Sequence, residues 1–105
     1  MVDENLRREI VTELRFDWLA FDQLADLIAR HTRAPDPLAT AVDVTVALIH
    51  QNLIRPGTLT ESGFTPWPGS PPEQATRLRA ESQWYATLTH VDTGDICWFD
   101  VAVRS

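Results

Sequence analysis

Three histidines, one cysteine and one Asp-Thr-Gly triplet are the residues of this 105-residue chain whose types invite chemistry. Asp92-Thr93-Gly94 matches the triplet of aspartic proteases, whose chemistry needs two such aspartates sharing one proton. One triplet per chain serves only in a dimer, and that fold needs most of its sheet after the triplet, whereas eleven residues follow Gly94 here. The triplet therefore reads as a turn. His31, His50 and His90 stand nineteen and forty residues apart, with no pair at helical or ligand spacing. Cys97 adds no second thiolate, so a zinc set would have to be assembled from scattered positions. His31 and His50 fall near predicted helix ends, where an imidazole favours the negative end of the helix dipole.

Cys97 with His90 has the composition of a nucleophile and its base. Ile96 and Trp98 flank the cysteine, however, and predict a buried, inert thiol. Gly57, Gly63, Gly69 and Gly94 never reach phosphate-loop or dinucleotide-loop spacing. These observations predict a chain that is not an enzyme and takes no cofactor or metal.

The elements that would position such residues follow from periodicity. Leu6, Ile10, Val11 and Leu14 predict an amphipathic helix over roughly 3–15. Phe16 to Ala20 predicts a short extended segment, and Leu24, Leu27, Ile28 and His31 a second helix with Asp22 as its N-cap. Asp36 followed by Pro37 predicts the start of a third, which Leu38, Ala41, Val42, Thr45, Val46, Ile49 and Leu53 continue. The β-branched run from Val42 to Val46 raises the strand alternative, but the helical stripe is the longer pattern. Asn52 suits the left-handed residue that closes a helix.

Turn signals at Pro56-Gly57 and Glu61-Ser62-Gly63 predict a hairpin reaching Trp67, with Pro66 at an edge or strand end. Ser70 and Glu73 form a capping box around Pro71, predicting a helix over 71–86 with Ala75, Leu78, Ser82 and Tyr85 on one side. Thr93-Gly94-Asp95 reads as a turn, and Ile96 to Val103 as a strand apolar on both faces except at Asp100. The order helix, short strand, helix, helix, hairpin predicts a single α+β domain over 1–105. It is winged-helix-like, with three helices and a β-hairpin wing, plus an additional helix and strand.

Charge argues against the commonest use of that order. The formal net charge is −6, and all nine basic residues are arginine. The helix that would enter a DNA groove carries no arginine, and Asp36 and Asp43 make it acidic. Phosphate neutralisation supplies much of the affinity for DNA, so nucleic acid is an unfavoured partner, and a winged-helix DNA-binding transcription regulator, monomeric or dimeric, stands as the alternative reading. No apolar run is long enough to span a bilayer, and no leader is evident, so a cytoplasmic protein without a membrane partner is expected. A basic protein is the expected partner, bound by a monomer or weak homodimer. Candidate contacts are Asp36 and Asp43 on the third helix, Glu61 and Trp67 at the wing, and Glu73, Glu81 and Trp84 on the fourth helix. Trp98 and Trp18 are expected in the core, while Trp67 and Trp84 either join a partner surface or pack on each other.

Asp17-Trp18-Leu19, the stretch from Leu53-Ile54 through Leu59-Thr60-Glu61-Ser62-Gly63-Phe64-Thr65-Pro66-Trp67, and Gly94-Asp95-Ile96-Cys97-Trp98-Phe99 together form a pattern. It resembles a group of small acidic actinobacterial proteins with an Asp-Trp start, a Leu-Thr-Glu-x-Gly-Phe-x-Pro-Trp hairpin and a Gly-Asp-Ile-x-Trp ending. Some proteins of this kind look like immunity partners of bacterial toxins. The resemblance thus implies an immunity role, and the acidic charge without a catalytic set of residues predicts an antitoxin-type or regulatory partner of a basic protein. Asn52 stands where that pattern tends to have glycine, in keeping with the left-handed cap.

Overall fold

A computed structural model describes residues 3–86 and 96–102. Its elements are α1 (Glu4–Phe16), β1 (Leu19–Ala20), α2 (Phe21–Thr32), α3 (Pro37–His50), β2 (Ile54–Thr60), β3 (Gly63–Pro66), α4 (Pro71–Ala86) and β4 (Trp98–Val101). The domain is α+β. The four strands form one antiparallel sheet in the order β1-β4-β2-β3. The strand that the element order alone makes an addition beyond the hairpin thus lies at the sheet's centre. His90 and the predicted turns at Asp92-Thr93-Gly94 and Thr93-Gly94-Asp95 lie outside the described residues.

Leu6, Ile10 and Leu14 recur every four residues along α1 and are buried together. Phe21, Leu24, Leu27 and Ile28 do the same on α2, but His31 turns outward and meets the Glu9 carboxylate of α1. Helix α3 lies between α2 and α4 and buries a broad face that includes Leu48. The β-branched stretch is helical, and buried Thr45 donates its hydroxyl to the carbonyls of Ala41 at 2.8 Å and Val42 at 3.0 Å. That hydroxyl is therefore satisfied inside its own helix.

Caps decide the helix boundaries. Asp36 accepts the Ala39 N–H at 3.1 Å, and Pro37 takes the first turn of α3. At the other end Leu53 N–H donates to Leu48 O and Asn52 N–H to Ile49 O, with Asn52 at φ 58°. This pair of bonds around a left-handed residue is a Schellman closure. The Ser70–Glu73 capping box forms as expected, with Ser70 N–H donating to Glu73 Oε1 at 3.1 Å.

Asp22 is not the N-cap of α2. Pairing of Ala20 with Trp98 keeps the backbone extended through Ala20, so the helix begins at once with Phe21. Gln23 reaches back to accept the Ala20 N–H at 2.8 Å. Asp22 instead sits in the first turn, where its charge suits the dipole.

Pro56-Gly57 is not a turn either. Strand β2 runs straight through it, and the reversal occurs at Glu61-Ser62, closed by Gly63 at φ 110°. Gly57 is required by close approach: a Cβ there would run into the Thr65 carbonyl and the Phe64 ring. Trp18, expected in the core, is half-buried and stacks with its ring centre 6.3 Å from that of Phe64. Pro66 ends the edge strand, as a residue without an N–H should. Trp98, expected in the core, is half-buried, whereas Phe99, Asp100 and Val101 are buried.

Candidate functional site

Helices α3 and α4 pack side by side and leave an open cleft of about 240 Å³. Asp36, at the N-terminus of α3, and Asp43, two turns along, line one wall, with Leu38 and Val42 between them. Arg79 and Ser82 line the wall from α4. The Arg79 guanidinium donates to Asp43 Oδ1 at 3.1 Å across the cleft. Two of the expected contact residues are thus brought together.

Glu73, Glu81 and Trp84 follow helical spacing along a separate ridge of α4, with Arg77 between them. Arg77 approaches Glu81 at 3.7 Å and lays its guanidinium 3.9 Å from the centre of the Trp67 indole. Trp67 is only 5 % exposed, so it does not present a face at the wing. Its N–H pairs with Pro56 O at the end of the hairpin, which draws the ring inward beneath α4. Trp84 is 57 % exposed and stands edge-on to Tyr85. The two tryptophans therefore have different surroundings.

Glu73 is exposed, but its carboxylate caps α4. The Ser70 N–H and hydroxyl donate to it and hold its carboxyl below the ordinary glutamate range. Glu61 lies exposed in the hairpin turn. Burial pushes the Cys97 thiol far up, so it stays protonated within the core.

Sequence reasoning missed Arg79 and the meaning of Ser82. Asp43 and Arg79 are separated by 36 positions, so no local spacing announces their contact. Ser82 was visible as a polar residue on an otherwise apolar stripe, and it is buried. The sequence places Phe16 at the start of an extended segment, but it ends α1 beyond the buried stripe and is 86 % exposed.

Among the described residues, no three of His, Cys, Asp and Glu gather as a metal-binding set, and no helix is long and apolar enough to cross a membrane. No protein-family model matches this chain, and neither a curated protein nor a solved structure matches it.

Proposed function

We propose that this chain is a non-enzymatic, winged-helix-like domain that binds a basic protein, as an immunity, antitoxin-type or regulatory partner. The observation that carries this reading is the charge of α3. It presents Asp36 and Asp43 to solvent, has no arginine of its own, and among the described residues its one ion pair comes from Arg79 of α4. The order α1, β1, α2, α3 and a β2–β3 hairpin supports the winged-helix-like description, with β4 as a variation within the sheet. Glu61 in the hairpin turn and Glu81 and Trp84 on their separate ridge of α4 add further acidic and aromatic surface, whereas buried Trp67 drops out.

The test is co-purification with the products of adjacent genes, followed by titration of the captured basic protein against Asp36→Asn, Asp43→Asn, Glu61→Gln and Glu81→Gln. Binding that weakens with salt and with each lost charge supports the reading. Capture of nothing basic, or binding indifferent to all four substitutions, overturns it.

A DNA-binding regulator is the second reading. It is favoured by the element order and by Arg7, Arg8 and Arg15, which line a hollow of about 240 Å³ on α1 with Leu53. Glu4 lies 3.4 Å from Arg7 and 3.7 Å from Arg8, which offsets part of that charge. Tight binding to the chain's own promoter with a steep salt slope would put this reading first.

A further inference from the structure

The α3–α4 cleft holds a polar group that the fold leaves unused. Ser82 is 4 % exposed and lines the cleft, yet its hydroxyl has no hydrogen-bond partner among the described residues. The contrast with neighbouring hydroxyls is direct. Thr45 on α3 and Thr76 on α4 each return theirs to a carbonyl one turn back, Thr76 to Pro72 at 3.0 Å. Trp18 Nε1, Arg55 Nε and Ser82 Oγ are the buried side-chain polar atoms without a hydrogen-bond partner among the described residues, and of the three residues only Ser82 lines the cleft. Accepting from an arriving donor would cost the Ser82 hydroxyl no hydrogen bond to the protein.

The rest of the cleft specifies the donor. Asp36 and Asp43 bring two carboxylates to one wall, and Leu38 and Val42 bring apolar surface between them. The Asp43–Arg79 pair crosses the cleft with both side chains about half or more exposed, at 68 % and 49 %. Such a pair is held weakly and exchanges readily for another guanidinium. The volume of about 240 Å³ admits one long side chain but no helix, which is roughly 10–12 Å across with its side chains.

We infer that this cleft seats a single arginine side chain of the basic partner, an inference that rests on the protein-binding reading above. The guanidinium donates to Asp36, Asp43 and Ser82 Oγ, its stem lies along Leu38 and Val42, and Arg79 gives up Asp43 as it enters. Arginine fits better than lysine, because acceptors on both walls, two carboxylates from the α3 side and a hydroxyl from α4, match a planar, weakly hydrated group with five N–H donors.

The test is an NMR titration of the ¹⁵N-labelled chain with N-acetyl-arginine methylamide and, separately, its lysine counterpart. The expected result is saturable shifts confined to the cleft, weaker with lysine. Ser82→Ala and Asp43→Asn should each weaken arginine binding by about three- to tenfold, the worth of about one hydrogen bond. Both variants suit an α-helix, so loss of folding does not obscure the result; their amide spectra check this directly. Shifts spread evenly over the acidic surface, no saturation, or unchanged affinity in Ser82→Ala overturns the inference. The two readings fail separately. If arginine amide saturates the cleft but no basic protein binds, the cleft stands and the partner reading falls. If a basic protein binds and ignores both substitutions, the cleft falls and the partner reading stands.

Discussion

The buried side-chain amide of Gln74 donates to the Trp67 carbonyl at 2.8 Å. The bond completes a ladder that proline interrupts. Trp67 N–H donates to Pro56 O at 2.9 Å, and in an antiparallel pair the Trp67 carbonyl would receive the Pro56 N–H in return. Pro56 has none, and Gln74 of α4 supplies the donor instead. Replacing Gln74 with Met should cost about 1–3 kcal/mol, because the buried carbonyl loses its partner. Adding Pro56→Ala should recover part of that loss by restoring an N–H, a coupling that denaturant unfolding of both single variants and the double variant measures.

Gly57 should tolerate no side chain. Thr65 and Phe64 occupy the place of its Cβ, one of the obstructing groups being backbone. Gly57→Ala is expected to destabilise by about 2 kcal/mol or more through overpacking. A variant that also carries Phe64→Leu should recover only the part owed to the ring. Chemical unfolding separates the two contributions.

Asn52 closes α3 at φ 58° with no glycine to ease it. Asn52→Gly should leave stability unchanged or raise it, while Asn52→Ala should lower it by about 1 kcal/mol. Equal melting temperatures for the two variants would contradict the cap assignment.

Glu73 gives a pH dependence with a definite sign. Its folded carboxyl titrates below its unfolded one, because the Ser70 N–H and hydroxyl donate to the ionised form. The resulting stabilisation is fully present above the unfolded glutamate value, about 4.3, and disappears as pH falls through the folded value. Ser70→Ala removes the hydroxyl, so the Glu73 midpoint read by ¹³C NMR should move upward towards the ordinary value. The acid side of the stability profile should flatten with it.

What could be read beforehand divides by the distance over which the determining contact acts. Asp36-Pro37, Ser70-Pro71-Pro72-Glu73 and Asn52 carry their hydrogen-bond chemistry within a few positions, and each forms as expected. Pro56-Gly57 misled because its punctuation is normally that of a turn. Here Gln74 from another element supplies the missing donor, so the strand continues through it. Asp22 misled because cross-strand pairing of Ala20 with Trp98 fixed the start of α2. The cleft lay beyond sequence reasoning altogether: Asp43 and Asp36 were legible as acids, but their facing wall comes from α4.

The central place of β4 sets an order of events during synthesis. Neither β1 nor β2 pairs with the other; each pairs with β4, whose residues 98–101 are translated long after both. A ribosome-bound chain can thus assemble α1, α2 and α3 and close the β2–β3 hairpin, yet it leaves β1 and one flank of β2 without neighbours. Until residue 101 clears the exit tunnel, those edges are open to pairing with another chain. The vulnerable interval of this protein therefore runs from the emergence of β2 to the emergence of β4, about forty residues later.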